Sequence, residues 1–222
     1  MSNPGTRRVS AKTIATIGML CAIAFVAKLI SNVFPTVAGF LSFDLKDVII
    51  VIAGFMMGPL AAAVISLIVS LIEMLTISGT GPIGLVMNVL ASCSFACVAA
   101  VLYKRQKSMK EAIIALVAGV LCMTAVMLLW NWLITPLYMK VPREVVVSML
   151  IPTFLPFNLV KGGINATLAM LLYKPVVTAL RRAHLVEAGS GAKRSTKWGV
   201  VAVSVVLLVT FVLLALVLAG II

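Results

Sequence analysis

Residues 198–222 run for 25 positions without one charged side chain. A stretch that long and that apolar fits one environment. Hydrocarbon offers no partners to backbone N–H and C=O groups, so the chain must bond to itself as a helix of about 20 residues. Similar apolar runs fill most of the sequence before it. Of 222 residues, 63% are hydrophobic and 11% are charged, where a soluble domain carries about 25% charged residues. The chain therefore reads as an all-α integral membrane protein. Its first apolar run is too long for a signal-peptide core and lacks a small-residue cleavage site, which makes it a retained helix.

The runs predict helices over 12–30, 45–57, 60–77, 84–103, 111–135 and from Pro152 or Pro156 to Lys174. The second is short for a bilayer crossing. Either it tilts, or its polar start (Asp44, Lys46, Asp47) sits inside protein at membrane depth. Gly58-Pro59 marks a tight turn, and 78–84, with three glycines and a proline, another. The longest link between helices, 136–152, has an apolar centre at 144–151 that fits a short surface helix. The organisation is then a polar N-terminus over 1–11, a six-helix membrane domain over 12–174, a basic linker over 175–197 and an additional transmembrane helix over 198–222.

The net charge of +12 does not point to nucleic acid. Arg7, Arg8 and Lys12, then Lys104, Arg105, Lys107 and Lys110, then Lys174, Arg181, Arg182, Lys193, Arg194 and Lys197 all fall on one side of the alternating topology. They are 13 of the 18 basic residues. Lys and Arg gather on the cytoplasmic side of membrane proteins, so the N-terminus and the linker are expected in the cytoplasm. The loop 31–47, the turn 78–84 and the link 136–155 are expected outside.

Polar residues inside apolar helices are the functional signal. Asn131 lies between Trp130 and Trp132. Asn158, Lys161 and Asn165 follow at three- and four-residue spacing, which puts them on one helix face. Asn88 sits one turn into the fourth helix. With the alternating topology, Asn88, Asn131, Asn158 and Lys161 fall near the outer ends of their helices, at one depth. Taken singly, each asparagine is compatible with an interhelical hydrogen bond and each tryptophan with an interfacial belt. Together they describe a polar pocket below the outer surface. Asn both donates and accepts, and Lys only donates, a set suited to a planar heterocycle with alternating carbonyls and ring nitrogens. Asn165, one turn deeper, fits helix packing.

Other chemistry is absent. No phosphate-binding G-x-x-x-x-G-K-[ST] loop exists. The one histidine, His184, is in the basic linker, so Ser-His and Cys-His catalysis within the membrane are excluded. Cys21, Cys93, Cys97 and Cys122 have no histidine or carboxylate beside them to share a metal. Glu73 is a lone intramembrane carboxylate, read as reaching the interface or pairing with Lys46. What remains is a binding protein rather than an enzyme, with no metal or cofactor of its own. Ala11, Ala15, Gly18 and Ala22 give the first helix a face of small residues, suited either to packing within the bundle or to a partner helix.

Three stretches resemble a known family. They are Phe40-Leu41-Ser42-Phe43-Asp44-Leu45-Lys46-Asp47 leading to Gly54-Phe55-Met56-Met57-Gly58-Pro59-Leu60, then Asn131 through Pro136-Leu137-Tyr138, then Leu155-Pro156-Phe157-Asn158-Leu159-Val160-Lys161-Gly162. Over about residues 10–175 the chain resembles the substrate-binding S component of an energy-coupling factor (ECF) vitamin transporter, and within that group the riboflavin-specific type. The resemblance implies a six-helix domain in a bacterial cell membrane that binds riboflavin from outside. Contacts to the flavin ring would fall on Asn131, Asn158 and Lys161. Leu41, Phe43, Asp44, Asn88, Tyr138 and Phe157 would complete the site. It also implies a transmembrane coupling protein (the T component) and two cytoplasmic ABC ATPases as partners, with Ala15, Gly18 and Ala22 as the docking face. The helix over 198–222 departs from the six-helix pattern. An S component for another vitamin, or a membrane assembly subunit whose polar stripe pairs with protein, are the competing readings.

Overall fold

The computed structural model describes residues 10–183, 185 and 198–221. Arg7, Arg8, His184, Lys193, Arg194 and Lys197 lie outside the described residues. The described chain is helical almost throughout: α1 (Ala11–Ser31), α2 (Lys46–Met57), α3 (Pro59–Thr76), α4 (Gly81–Tyr103), α5 (Met109–Met139), α6 (Arg143–Met149), a π-helical turn (Leu150–Phe154), α7 (Leu155–Arg182) and α8 (Trp198–Leu218). Among the described residues, six helical stretches, with α6 to α7 as one, are long and apolar enough to cross a membrane.

Local chemistry sets the helix starts. Ser10 caps α1 by accepting from the Thr13 N–H at 3.1 Å, and Ser108 caps α5 by accepting from the Glu111 N–H at 3.1 Å. Between α2 and α3 the chain reverses at Gly58, whose φ of 98° suits glycine, and Pro59 supplies the first residue of α3.

The short α2 is the hub. Its twelve residues span about 18 Å. Lys46 through Gly54 are all buried, with α1, α3, α4 and α7 packed around them. The polar start of α2 thus sits inside protein, which is why the helix needs neither full bilayer length nor a lipid-facing side. A Cβ on Gly54 would come within 3.0 Å of the Ala100 Cβ and 3.2 Å of the Ala62 Cβ. The missing side chain lets α2, α3 and α4 meet this closely.

Several helix limits differ from the sequence expectation, each at a proline. The fifth helix passes through Pro136 to Met139, and the last helix of the bundle passes through Pro175 to Arg182. Residues 175–182, expected as linker, are therefore helical. Proline costs one i→i−4 bond and a kink, and packing in a bundle tolerates that. The expected surface helix over 144–151 is α6 with the π turn, continuous with α7. Val146 and Phe154 are buried, so the segment is anchored. Pro152 and Pro156 remove backbone donors four residues apart, where the ladder widens to the π turn. The fourth helix starts at Gly81, one turn earlier than expected.

On α1, Thr16, Leu20 and Ala24 face the core, and Ala11, Ala15, Gly18 and Ala22 are exposed on the opposite side. The small-residue face therefore does not pack within the bundle. The α8 helix packs chiefly along α7 and keeps most of its valine and leucine side chains outward.

Candidate functional site

A cavity of about 260 Å³ opens at the end of the bundle that carries the loop 32–45 and the turn 77–80. Each wall comes from a different element. The α5 helix brings Met127 and Asn131, one turn apart on one face. The α7 helix brings Phe157, Asn158 and Lys161. Phe40, Leu41 and Asp44 come from the loop, and Glu73 and Asn88 from α3 and α4. Asn131, Asn158 and Lys161, singled out from spacing, thus share one space with Leu41, Asp44, Asn88 and Phe157.

Local bonds orient the two amides. Asn131 Nδ2 donates to the Met127 carbonyl at 2.7 Å, and its Oδ1 accepts from the Thr135 hydroxyl at 2.8 Å. Asn158 Nδ2 donates to the Phe154 carbonyl at 2.8 Å, which leaves its Oδ1 out of that bond. Each amide is held in place by one helix turn and keeps capacity for a further hydrogen bond.

Beside them lies a buried charge cluster. Lys46, 1% exposed, places its Nζ 2.6 Å from Asp44 Oδ2 and 2.6 Å from Glu73 Oε2. Lys28 approaches Asp44 at 3.9 Å, and Asn88 Nδ2 donates to Glu73 Oε2 at 3.1 Å. Ser92 donates to the neighbouring Asp47. Lys161 lies within electrostatic reach of Asp44 and Asp47, with no carboxylate at ion-pair distance among the described residues. Lys28, Lys46 and Lys161 balance Asp44, Asp47 and Glu73. Without that balance, burial of this many charges would cost several kcal/mol per ion. Burial alone pushes the Asp44 carboxyl up, but Lys46, Lys28 and Lys161 outweigh it and hold Asp44 below the usual carboxylate range.

Two expected site residues lie elsewhere. Tyr138 is 46% exposed near the end of α5 and is not part of the cavity wall. Asn131 and Tyr138 are seven apart on α5, but Asn131 is buried while Tyr138, like Leu137 and Met139 beside it, is exposed. Phe43 is buried under the cavity with its ring 5.2 Å from that of Phe157, a supporting contact rather than a wall. Asn165 is buried and neither amide atom has a hydrogen-bond partner among the described residues. Spacing missed Glu73 and Lys28 as wall residues. The available signal was the series Ser66, Ser70, Glu73, a polar line at three- to four-residue spacing down an otherwise apolar helix.

A larger cavity of about 950 Å³ lies between α5, α7 and α8. Apart from the hydroxyls of Thr167 and Ser204 its lining is apolar, and Thr167 already donates to the Gly163 carbonyl. It lacks the converging polar groups that orient a small ligand.

Residues 12–173 match the family model described as ECF transporter, substrate-specific component. The chain belongs to this family. Over 177 residues this S component is 32% identical to the riboflavin transporter RibU of Staphylococcus aureus (strain TCH60), which covers 77% of this chain and 93% of that one. It is 29% identical over 187 residues to the riboflavin transporter FmnP of Bacillus subtilis (strain 168), covering 78% and 98%. A solved structure reported for the structure and mechanism of the S component of a bacterial ECF transporter superposes with a TM-score of 0.64 at 34% identity, covering 76% of this chain and 97% of that one. The family match ends before α8.

Proposed function

We propose that this S component binds riboflavin in the 260 Å³ cavity and supplies it to an ATP-driven importer. The observation that carries the reading is the convergence of Asn131, Asn158 and Lys161, from two helices, on that one space. Two amides and an ammonium complement the carbonyls and ring nitrogens of a flavin's polar edge. Leu41, Phe40, Met127 and Phe157 supply apolar surface for its faces. Asp44 and Asn88 line the same space. The similarity to two riboflavin transporters supports the same ligand.

The protein sits in a bacterial cell membrane with its N-terminus in the cytoplasm, a reading supported by the distribution of lysine and arginine. The cavity then faces outside. The energy for transport comes from a coupling protein and two ABC ATPases, and the exposed face of Ala15, Gly18 and Ala22 on α1 is the docking surface. Purification in detergent tests the ligand. Riboflavin that travels with the protein gives a yellow sample with visible absorption. Stripped protein should quench flavin fluorescence at micromolar riboflavin, and no quenching there rejects the reading.

A further inference from the structure

The cavity of about 950 Å³ is enclosed by one side of α5 from Ile113 to Leu121, of α7 from Leu159 to Met170 and of α8 from Gly199 to Phe211. The family match stops at residue 173, so the α8 wall is this chain's own addition to the family fold. The shape follows from how α8 is fastened. It packs along α7 and scarcely touches α5. The Phe211 ring sits where a Cβ on Gly163 would lie, which closes the cavity at that end. At the start of α8 a Cβ on Gly199 would meet nothing within 4 Å, so the wall is slack there.

Length, polarity and charge constrain the occupant. From Gly199 to Phe211 the helix rises about 18 Å. The hydrocarbon of one bilayer leaflet is about 15 Å deep. Water needs roughly two to four polar partners. The lining side chains offer only the hydroxyls of Thr167 and Ser204, and Thr167 already donates to the Gly163 carbonyl. Acyl chains match both the length and the lining. The slack end has different chemistry. Lys110 precedes Ile113 by three residues and Lys174 follows Met170 by four, so each stands one turn beyond a lining residue on the same helix face. Both are exposed. Trp198, 79% exposed, begins α8 at this end, and tryptophan favours the headgroup level. Among the described residues, Glu111 is the one carboxylate here, against Lys110, Lys174, Arg181 and Arg182. That excess favours an anionic headgroup over a zwitterionic one.

We propose that the cavity binds an anionic phospholipid, with its acyl chains between α8 and the α5–α7 pair and its phosphate beside Lys110 and Lys174. The lipid fills the gap where α8 and α5 do not meet and so ties the added helix to the bundle. The site lies at the opposite end of the bundle from the polar cavity and does not depend on the flavin reading.

The test uses full-length protein in detergent with phosphatidylglycerol and with phosphatidylcholine of the same acyl chains. Native mass spectrometry reads the retained lipid, and thermal unfolding reads its effect. From an equal mixture the unaltered protein should retain one phosphatidylglycerol in preference by roughly tenfold or more, the effect of two lysines at headgroup level. It should also unfold at a higher temperature with that lipid than with phosphatidylcholine. Lys110→Ala combined with Lys174→Ala should remove most of the preference. Gly199→Phe, which places a ring in the slack end, should retain severalfold less lipid of either kind. Because the preference is read within one variant, partial unfolding does not imitate its loss. Equal retention of the two lipids by the unaltered protein overturns the inference, as does an unchanged preference in the lysine variant. Undiminished retention by Gly199→Phe also overturns it, because the lipid then sits on surface charge alone. Release of the lipid on assembly with the coupling protein would assign the cavity to a protein helix and overturn it too.

Discussion

Lys46 at the start of α2 and Glu73 near the end of α3 form an ion pair at 2.6 Å with both side chains 1% exposed. The same ammonium reaches Asp44 at 2.6 Å. One lysine thus joins the loop over the cavity, the central helix and the cavity wall. Its removal strands two buried carboxylates. Loss of one partner from a buried pair costs about 3–5 kcal/mol, so Lys46→Met should lower the unfolding temperature sharply and reduce the yield of folded protein. Lys28→Met, at 3.9 Å from Asp44 and 13% exposed, should cost far less. Thermal unfolding in detergent ranks the two, and equal effects would remove Lys46 from its central place.

Lys161 has the opposite profile. It lines the cavity and makes no ion pair among the described residues, so its removal breaks none and takes away only its longer-range attraction to Asp44 and Asp47. A hydrogen bond from a charged group is worth about 1.5–3 kcal/mol, which is one to two decades of affinity. Lys161→Ala should weaken riboflavin by that factor and lower the unfolding temperature less than Lys46→Met does. Unchanged affinity would take Lys161 out of the site.

Asn165 continues the face of Asn158 and Lys161 one turn further in, yet neither of its amide atoms is paired among the described residues. A buried polar atom without a partner costs about 1–3 kcal/mol. Asn165→Leu, of similar volume, should therefore raise the unfolding temperature and leave riboflavin affinity intact. A fall in stability would show that the amide has a partner in the membrane.

Much of this was legible before the structure. The i, i+3 pair of Asn158 and Lys161, together with the alternation of helix direction, brings α5 and α7 polar groups to one depth without any tertiary information. Glu73 was read as reaching the interface or pairing with Lys46, and the packing of α2 against α3 brings that pair together at 2.6 Å, with Asp44 sharing the same ammonium. Proline misled the reading at Pro136 and Pro175, where neighbouring helices hold the backbone helical beyond the point at which an isolated helix would stop. Tyr138 was assigned to the cavity by likeness to the family, but its side chain is exposed and does not line the cavity.

The α8 helix is fastened at a specific point. The Phe211 ring occupies the space that a Cβ on Gly163 of α7 would need. Ala215 joins Val37, Phe43 and Phe157 in one apolar cluster, so α8 also covers the base of the loop. The cavity lining nonetheless comes from the loop, α1, α3, α4, α5 and α7. A chain ending at residue 197 should bind riboflavin within about threefold of the full chain and unfold at a lower temperature. Loss of binding on truncation would mean that α8 organises the loop.

The outer face of α1 separates binding from transport. A Cβ on Gly18 would meet nothing within 4 Å, and Ala22 is exposed on the same side. A large side chain there has no core to disturb. Small residues at three- to four-residue spacing let another helix approach closely, and one leucine closes that approach. Gly18→Leu and Ala22→Leu should therefore keep riboflavin affinity within about twofold and abolish ATP-driven uptake in vesicles that contain the full transporter. Normal uptake by both variants would place the docking surface on another helix. Lost binding would instead mean that α1 shapes the cavity, through Lys28, more than its outward face implies.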